Sequence, residues 1–507
     1  MWTKTSVMKK NAVVVGAGIN GLVASNYLQK NNFNVFLIEK NDHVGGACVK
    51  DSINYNQEKI YYPKGATVLG MMQKFIFDET GLSNCVETFY PKSPKLVYFP
   101  NDKEPARIFQ NIQDLKIELK KKWNEDGDIE GFRNDENKVI NFLQNLYKNG
   151  DSPSIDKAEQ KLGNRLTNLW IKGSAYNLLN TYFSSEKTKL YMGMTVTESG
   201  PASIFEDGTA FTIPLMDSGS IFNGYWGFVK KGIWEITEKL DLINRNLGVN
   251  NILSSNINGI DLDKKKIYLT NQEIDYDIIV FATDPKTPSL ILDDNNSLKK
   301  IQEKELIGTS GKVTAFFKNP VRWKSNKDYD TSFRFLFSNN CLNDFEKSSQ
   351  NAKNNIVDYA PGYIQIYPEG AAQRQMGNKE KLDKLILFTK NFSFNKNASS
   401  LSNAKDEIIS LLSNYIENID DIIETIFLTP KELKDKFYFP KGNIDHMTLT
   451  NNQNFNKRTF SNNPQSNFYQ YFNYKDLYYC GAGSFPCGSV AGTPGYMCSK
   501  QIVKKYS

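Results

Sequence analysis

Three closely spaced glycines near the start of the chain have the residue types and spacing of a phosphate-binding turn. Gly16, Gly18 and Gly21 follow a short β-branched run and precede an apolar segment that favours a helix. The first permits a tight turn, the second lets backbone approach a pyrophosphate, and the third lets the helix pack close to the strand. Glu39 lies 18 residues after Gly21, where a carboxylate can accept a hydrogen bond from a ribose hydroxyl. The pattern predicts a dinucleotide site; the alternative is a βαβ unit whose glycines serve turns only, with Glu39 solvated.

A glycine pair, Gly45-Gly46, follows six residues after Glu39 and extends this motif. The extended motif resembles that of FAD-binding oxidoreductases rather than that of simple NAD dehydrogenases. We therefore expect noncovalently bound FAD, with the first helix directing its free N–H groups at the phosphates. The cofactor-binding residues expected from this first segment are Gly16, Ala17, Gly18, Asn20, Gly21, Glu39, Lys40, Gly45, Gly46 and Ala47.

Two later segments complete the predicted cofactor site. A buried-strand pattern at 278–283 predicts the second contribution, with Ile257 and Ala282 as expected contacts. The strand pattern at 477–480 is followed by a glycine-rich turn and a helix that we expect to begin near Ser489 and Val490. A helix start there would stabilise negative charge on a reduced flavin. The expected contacts are Gly481, Gly483, Gly488, Ser489 and Val490; the alternative is a plain strand–turn–helix packing unit.

The amino-acid composition argues against several classes of protein. The 507 residues suffice for two or more domains, and 62 basic against 56 acidic residues give no reason to expect a nucleic-acid binder. Two histidines are too few for a His-rich metal site, so no metal is expected. Six scattered cysteines without C-x-x-C spacing predict a reduced, cytoplasmic compartment and argue against dithiol chemistry. No signal peptide and no membrane span are visible, and whether Met1–Val7 belong to the native start is left open.

The order of elements predicts an α/β fold in which a Rossmann-like FAD-binding domain is interleaved with an α+β substrate domain and a helical insertion. Helices are expected over 68–79, 114–191 and 408–422, and a helix with a capping box is expected at Thr429-Pro430-Lys431-Glu432. One strand is expected over 252–260, and surface loops over 341–355 and 392–404. The predicted parts are 1–83, 205–290 and 429–507 for FAD, and 84–204 and 291–428 for substrate and helical cap.

Taken together, these segments resemble the flavin amine oxidase superfamily, and within it the phytoene-desaturase-like branch that includes the pyridine nucleotide-disulfide oxidoreductase domain proteins. The segments that carry the resemblance are VVVGAGINGLVAS, IEKNDHVGGAC, IIVFATDP and LYYCGAGSFPCGSVAGTPGYMCSKQI. Two shorter matches are Tyr225–Val229, similar to a G-x-W-x-y-V segment, and Thr429-Pro430 with 442–446, similar to T-P and G-N-I-x-H. The chain departs from the branch at Lys230-Lys231-Gly232, where Gly-Gly-Met is usual, and at 485–489, where His-Pro-Gly-Gly-Gly is usual.

Two residues are candidates for chemistry. Lys312 lies in a segment similar to the amine oxidase strand whose lysine holds a water against the flavin, and the alternative is a surface lysine on an edge strand. His446 lies in the G-N-I-x-H match, and the alternative is a structural histidine. No cysteine is expected to be catalytic, and no paired-carboxylate constellation is identifiable.

The resemblance implies an FAD-dependent oxidoreductase whose flavin accepts a hydride from an apolar, carotenoid- or isoprenoid-like substrate. A redox-neutral isomerase, an amine oxidase and a non-catalytic FAD-binding protein remain alternatives, and the electron acceptor, oxygen or quinone, is left open. Apolar side chains in 211–229 and 68–76 are interpreted either as a substrate pocket or as core. Weak peripheral contact with a membrane is expected if the substrate comes from a bilayer.

Overall fold

The structure is a computed structural model that describes residues 9–356, 362–393 and 398–506; Met1–Val7 lie outside them. The strands are β1 (Asn11–Val15), β2 (Asn34–Ile38), β3 (Lys50–Tyr55), β4 (Glu58–Pro63), β5 (Thr88–Phe89), β6 (Lys95–Tyr98), β7 (Ala106–Ile108), β8 (Phe228–Val229), β9 (Asn250–Ile252), β10 (Ile257–Asp261), β11 (Lys266–Leu269), β12 (Glu273–Asp275), β13 (Ile278–Phe281), β14 (Gly311–Phe317), β15 (Arg334–Phe337), β16 (Tyr363–Tyr367), β17 (Asp383–Thr389), β18 (Ile422–Leu428) and β19 (Leu477–Tyr479). The helices are α1 (Ile19–Lys30), α2 (Lys74–Glu79), α3 (Ile112–Trp123), α4 (Ile129–Asn149), α5 (Ile155–Leu166), α6 (Ala175–Tyr182), α7 (Glu186–Gly193), α8 (Thr212–Met216), α9 (Trp234–Asn246), α10 (Thr287–Ile291), α11 (Asn295–Gln302), α12 (Leu342–Lys353), α13 (Glu369–Gln375), α14 (Ala398–Leu412), α15 (Pro430–Phe437) and α16 (Thr493–Tyr506).

A five-stranded parallel sheet, in the order β19-β13-β1-β2-β9, forms the centre of one half of the molecule. Its strands come from three distant parts of the chain, and Val14 of β1 lies between Leu37 of β2 and Val280 of β13. These side chains are buried because a parallel sheet is covered on both faces, which is why its strands are continuous apolar runs. The predicted α/β fold with a Rossmann-like sheet is confirmed.

Helices α1, α9 and α16 pack together in this half. The Asn26 amide of α1 donates to the Asn244 side chain of α9 at 2.8 Å, and Ser499 of α16 donates to the Ala24 carbonyl at 3.4 Å. Gly21 is necessary in α1 because a Cβ there would overlap the Gly16 carbonyl oxygen. The helix therefore lies against the turn that precedes it.

A seven-stranded mixed sheet, in the order β18-β14-β17-β16-β15-β6-β7, forms the second half. Strand β14 is internal, because it pairs antiparallel with both β17 and β18. One face, with Val313 and Ala315, packs on Ile408 and Leu412 of α14. Since successive side chains of a strand point to opposite faces, Lys312 lies on the other face.

Helices α3 to α7 occupy the region where the sequence predicts a helical insertion. Several begin at a residue whose side chain accepts a backbone N–H of the first turn: Asn111 for α3, Asp128 for α4, Ser154 for α5 and Ser174 for α6. The capping box of α15 is also confirmed, with Thr429 accepting from the Glu432 amide and Glu432 accepting from the Thr429 amide. Local sequence therefore sets these helix starts.

Two elements near the parallel sheet differ from those predicted from the sequence. The helix expected over 68–79 begins only at Lys74, because Leu69 bridges Gly227 and keeps the preceding chain extended. The strand expected over 252–260 is two strands, β9 and β10, in different sheets. Ser254, at φ +51°, turns the chain between the two strands. The apolar sequence pattern runs on through this turn and so does not mark it.

Two further predictions are wrong in the other half. The loop expected over 341–355 contains α12, whose Leu342, Phe345 and Ala352 are buried although the segment is polar overall. The helix expected over 408–422 ends at Leu412, and β18 begins at Ile422, because pairing with β14 fixes the later residues. Of the loop expected over 392–404, residues 394–397 lie outside the described residues and α14 begins at Ala398.

Candidate active site

The N-terminus of α1 is built from backbone and glycine. Gly16 has φ +98°, and Gly18 is the N-cap residue with no side-chain capping hydrogen bond. The first turn of α1 contains no acidic side chain, so its positive end is not neutralised there. Glu39 is buried beside the turn. Its Oε2 accepts a hydrogen bond from the backbone amide of Ala17 at 2.8 Å, and its Oε1 accepts one from the backbone amide of Asn41 at 3.0 Å. The predicted turn, helix and carboxylate therefore meet at one place.

The Gly45-Gly46 turn lies directly against this N-terminus. Gly45 forms a bridge with Gly18, and its amide donates to the Ala17 carbonyl at 2.8 Å. A Cβ on Gly46 would lie 3.2 Å from the Gly18 Cα, whereas a Cβ on Gly18 would meet only the Gly46 Cα, at 3.9 Å. The two glycine turns thus form a cradle that a side chain on Gly18 would fill. Such a cradle fits a pyrophosphate at a helix N-terminus.

The remaining residues predicted from the first segment have different environments. Asn20 is buried in the first turn of α1, and its Oδ1 has no hydrogen-bond partner among the described residues. The Ala47 carbonyl accepts the Ala66 amide at 2.9 Å and so ties the second glycine turn to the segment after β4. Lys40 is exposed, with its ammonium over the Tyr438 ring. Burial of part of the side chain lowers the pKa of Lys40, while the nearby Glu39 and Asp284 act in the opposite direction.

The second segment also reaches the cradle. The Ala282 amide donates to the Val15 carbonyl at 2.8 Å, and a Cβ on Gly21 would lie 3.2 Å from the Ala282 side chain. Ile257 lies at the start of β10, paired with Leu269, two residues after the Ser255 amide that donates to the Glu39 carbonyl at 3.0 Å. Ala282 therefore contacts the phosphate-binding turn, whereas Ile257 lies beyond Glu39.

The predicted start of the last helix, in the third segment, is wrong. Helix α16 begins at Thr493, not near Ser489 and Val490, because those two residues have φ +56° and +58° and cannot continue a right-handed helix. They form a left-handed turn, a conformation in which successive amides can make a concavity for an anion. The Gly488 amide and the Ser489 hydroxyl both donate to Asp445 Oδ1, at 3.0 and 3.2 Å. A buried carboxylate therefore holds this turn.

Asp445 belongs to a segment that a buried arginine ties to the glycine turn after β19. The Arg458 guanidinium donates to the Asp445 carbonyl at 2.8 Å and to the Ala482 carbonyl at 3.0 Å, between Gly481 and Gly483. Burial raises the pKa of the Asp445 carboxyl, while Arg458 opposes that rise. The third segment is thus fixed by side chains that lie outside its own glycine-rich sequence.

Lys312 is not a surface lysine. Its side chain is 1% exposed in the internal strand β14, so the edge-strand alternative is wrong. The ammonium donates to the Pro63 carbonyl at 2.5 Å and to the Gly65 carbonyl at 2.7 Å. Burial lowers the pKa of Lys312 to about 7, while Glu369 and Cys48 act in the opposite direction. Lys312 can therefore exchange a proton near neutral pH.

His446 is partly buried and cannot supply a proton near neutral pH. Burial lowers its pKa to about 3, with the Arg458 charge acting in the same direction. The backbone of His446 is left-handed, at φ +64°, and its Nδ1 has no hydrogen-bond partner within the described residues. The ring is thus a neutral group that lies beside the Phe439 ring, with 5.7 Å between the ring centroids.

A buried carboxylate that the sequence did not identify lies on the same side of the mixed sheet. Glu369, the first residue of α13, is 1% exposed, and its Oε1 accepts the Gln373 amide at 2.9 Å. Gln373 also donates to the Val229 carbonyl at 2.9 Å and accepts the Lys231 amide at 2.8 Å. Burial raises the pKa of Glu369 to about 7, opposed most strongly by Lys384. No motif marks Glu369; only its burial reveals it.

A second buried polar cluster lies on this face. The Lys390 ammonium forms an ion pair with the Glu198 carboxylate at 2.7 Å. Glu198 Oε2 also accepts hydrogen bonds from the Tyr363 hydroxyl at 3.0 Å and from the Gln365 side-chain amide at 3.1 Å. The ring of Phe388 separates the two buried lysines, with Lys312 5.6 Å and Lys390 5.4 Å from its centroid. The face is thus aromatic and polar rather than aliphatic.

The two apolar stretches pack on each other. Leu69 and Gly227 exchange backbone hydrogen bonds of 2.9 and 2.8 Å, and the Met72 carbonyl accepts the Ile221 amide at 3.3 Å. Their buried members belong to one core cluster: Phe211, Ile213, Leu215, Met216, Phe222, Phe228, Val68, Leu69, Met71, Met72 and Ile76. Tyr225 and Trp226 are partly buried at its edge. This packing favours the core interpretation of both stretches.

Within residues 9–356, 362–393 and 398–506, no cluster of His, Cys, Asp or Glu has the makeup of a metal site. In the same part of the chain, no helix is both long enough and apolar enough to cross a membrane. Cys48, Cys480 and Cys487 are buried free thiols, and burial raises the pKa of Cys48 to about 12. A thiol with so high a pKa is a poor nucleophile.

Comparisons with known proteins agree with this geometry. A family model described as an NAD(P)-binding Rossmann-like domain matches residues 14–73. The 4,4'-diapophytoene desaturase (4,4'-diaponeurosporene-forming) of Staphylococcus aureus strain COL is 23% identical, over 96% of this chain and 97% of that protein. The chain is thus similar to a phytoene-type desaturase along nearly its whole length. The resemblance predicted from the sequence is therefore confirmed.

Solved structures of two oxidases have a fold similar to that of this chain. A wild-type putrescine oxidase bound to putrescine has a TM-score of 0.60 at 12% identity, covering 98% of this chain and 99% of that one. Cyclohexylamine oxidase from Brevibacterium oxydans has a TM-score of 0.59 at 15% identity, covering 98% of each chain. These relatives are desaturases and oxidases by name, in agreement with the oxidoreductase class predicted from the sequence.

Proposed function

We propose that the protein is an FAD-dependent oxidoreductase that removes hydrogen from an apolar, carotenoid- or isoprenoid-like substrate. The similarity to a diapophytoene desaturase along nearly the whole of both chains is the observation that carries this proposal. The glycine cradle at the N-terminus of α1 supports the cofactor assignment, because the Gly45-Gly46 turn extends a simple dinucleotide motif to the form that resembles FAD enzymes.

Residues of all three segments would hold the cofactor. The cradle of Gly16, Gly18 and Gly46 fits the pyrophosphate, and Glu39, held by the Ala17 amide, would accept a hydrogen bond from the adjoining ribose. The left-handed turn at 488–492 would face the flavin ring. Bound FAD supplies the acceptor for a hydride taken from a carbon–hydrogen bond. Attachment is noncovalent in this proposal.

Lys312 carries the acid–base function of the proposed site. Its ammonium is fixed by the Pro63 and Gly65 carbonyls, next to the chain that contacts Ala47. A pKa of about 7 means that the amine can accept a proton released by the substrate and later lose it. The His446 ring, whose pKa is about 3, stays neutral near pH 7 and takes no part in this proton exchange.

Amine oxidation is a second candidate because one observation favours it. Glu369 Oε2 is buried with no hydrogen-bond partner among the described residues, and a buried carboxylate attracts a cation. Against this, Lys384 and Lys312 already place positive charge near Glu369. A hydrocarbon substrate needs no such charge pair, so the desaturase reaction is preferred.

Anaerobic reduction of the bound flavin tests the proposal. FAD-loaded protein is mixed with an acyclic isoprenoid polyene in liposomes, with putrescine or with cyclohexylamine, and flavin absorbance is followed. Bleaching by the polyene alone is expected, and bleaching by an amine alone would replace desaturation with amine oxidation. Product formation without net bleaching would indicate an isomerase. FAD binding with none of these would leave a non-catalytic role.

The location and the electron acceptor follow from the substrate in this proposal. A hydrocarbon substrate resides in a bilayer, so a cytoplasmic protein that contacts membranes weakly is expected, with oxygen or a quinone as acceptor. The net charge of +6 would assist at an anionic surface, by about 1 kcal/mol per suitably placed lysine. Flotation with anionic liposomes at low and high salt checks this; absence of binding at low salt would favour a water-soluble substrate.

A further inference from the structure

The carboxylate of Asp445, which holds the left-handed turn of the third segment, uses only one of its two oxygens. Asp445 is fully buried, and its Oδ1 accepts hydrogen bonds from the Gly488 amide at 3.0 Å and from the Ser489 hydroxyl at 3.2 Å. Its Oδ2 is also buried and has no hydrogen-bond partner in the part of the chain that the structure describes. The carboxylate therefore has one occupied oxygen and one that is free to accept.

The nearby buried arginine does not satisfy this free oxygen. The Arg458 guanidinium donates its hydrogen bonds to backbone carbonyls, those of Asp445, Met447, Gln453 and Ala482. Among the described residues, none of these hydrogen bonds reaches the Asp445 carboxylate. Because a buried carboxylate oxygen without a donor is unfavourable, Oδ2 fits a hydrogen-bond donor that comes from a ligand.

The segment that contains Asp445 lies where the two halves of the molecule meet. Gly442 forms a bridge with Ile307, in the chain that leads into β14 of the mixed sheet. The charges of Glu198 and Lys390, which belong to the buried polar cluster of that sheet, act on the Asp445 carboxyl. On the side of the parallel sheet, the carboxylate contacts the turn that is proposed to face the flavin ring. Asp445 is therefore placed between the two parts of the proposed site.

The turn that Asp445 holds is one of the places where the chain departs from the branch that it resembles. His-Pro-Gly-Gly-Gly is usual at 485–489, and Ser489 occupies the last of these positions. Since glycine has no hydroxyl, the hydrogen bond from Ser489 to Asp445 depends on this departure. A Cβ on Gly488 would lie 2.7 Å from Asp445 Oδ1, so the turn lies directly against the carboxylate. The turn thus brings a negative group to a place where free amides would favour an anion.

We propose that the Asp445 carboxylate binds the flavin through its free Oδ2 and lowers the reduction potential of the flavin, a role that rests on the proposed function. Oδ2 accepts a hydrogen bond from a donor of the flavin part of FAD, either the ring N–H or a ribityl hydroxyl. Because a flavin gains negative charge on reduction, a carboxylate beside it favours the oxidised form. This effect is opposite to that of a helix start at the same position, which would stabilise the reduced form.

The reduction potential of the bound flavin tests this role without a substrate. FAD-loaded full-length wild type and Asp445→Asn are reduced anaerobically in equilibrium with a reference dye, in mildly alkaline buffer that favours the ionised carboxyl. Asparagine keeps an accepting oxygen for the turn but carries no charge. We expect Asp445→Asn to raise the affinity for reduced FAD relative to oxidised FAD by about tenfold, which makes the two-electron potential about 30 mV more positive.

Three further variants separate the charge of Asp445 from general effects. Asp445→Ser removes the same charge with a smaller side chain and should shift the potential in the same direction, so it also serves if Asp445→Asn does not fold. Ser489→Gly restores the usual residue and keeps the carboxylate, so its potential should stay closer to that of the wild type. Asp135→Asn removes a buried carboxylate of the helical insertion and should not change the potential.

Two results would overturn the proposal. One is a potential in the folded, FAD-loaded Asp445 variants that equals or lies below that of the wild type. The other is a rise in Ser489→Gly or Asp135→Asn as large as that in Asp445→Asn, because the effect would then not belong to the Asp445 charge. Failure of the wild type to bind FAD would instead contradict the proposed function.

Discussion

The two halves of the molecule build their parts of the site by different means. Around the parallel sheet, the cradle is made of backbone: Gly16, Gly18 and Gly46 bring amides and a helix end together, and only Glu39 contributes a charged group. On the inner face of the mixed sheet, the site is made of side chains such as Lys312 and Glu369, which come from elements distant in sequence. A backbone site needs particular residues at fixed spacing, whereas a side-chain site needs only that the fold bring the residues together.

The largest effect that we expect distinguishes ligand binding from folding within the backbone half. Gly18→Val should abolish FAD binding, with affinity lowered by at least about 100-fold, because the new side chain fills the cradle. It should leave the fold intact, since a Cβ on Gly18 meets only the Gly46 Cα at 3.9 Å. FAD titration followed by flavin fluorescence, with circular dichroism on the same sample, checks both parts.

Gly21→Ala is the matched control for that prediction. A Cβ there would overlap the Gly16 carbonyl oxygen, so this change should destabilise the protein by about 1–3 kcal/mol even without FAD. The free energy of unfolding in urea measures it. If Gly18→Val unfolds the protein as readily as Gly21→Ala, the cradle is a packing feature rather than a ligand site.

The next effect tests whether the side-chain half depends on paired charges. Lys390→Met leaves the Glu198 carboxylate, whose side chain is only 13% exposed, without its cation and should lower the free energy of unfolding by about 3 kcal/mol. The double variant with Glu198→Gln should lose less, because no unpaired charge remains. Lys74→Met removes an exposed pair with Asp78 and should change stability by less than about 1 kcal/mol. Additive losses at Lys390 and Glu198 would contradict this coupling.

A smaller effect concerns local sequence alone. Thr429→Ala removes the side chain that accepts the Glu432 amide at the start of α15 and should lower stability by about 1 kcal/mol. Thr429→Ser keeps an accepting hydroxyl and should lose much less. Chemical denaturation of the three proteins measures the difference. A loss of several kcal/mol would mean that Thr429 has a role beyond the cap.

The smallest expected effect is an absence of change. Cys48→Ser should leave flavin reduction by substrate within a few-fold of the wild type, because burial raises the pKa of this thiol to about 12. The same result is expected for Cys487→Ser, whose thiol is also buried with a raised pKa. Rapid-mixing absorbance measures the reduction rate. Complete loss of reduction in a folded, FAD-loaded variant would return thiol chemistry to the mechanism.

The contrast between the halves also explains what the sequence could predict. The glycine turns, Glu39 and the Thr429 capping box were predictable because each depends on residues within a short stretch. The start of α16 was not, because the left-handed turn at Ser489 and Val490 is held by Asp445, some 44 residues earlier. Glu369 was missed for the same reason: its burial comes from tertiary packing, which no local pattern encodes.

The binding of the cofactor itself tests the central claim most directly. Purified full-length protein is titrated with FAD, and in parallel with NAD⁺ and NADP⁺, and binding is followed by calorimetry and by flavin absorbance. We expect one FAD per chain, release of the flavin by acid precipitation, and no comparable binding of the nicotinamide dinucleotides. Colourless protein that gains no flavin absorbance with added FAD, or tight binding of NAD⁺ or NADP⁺ in its place, would contradict the account.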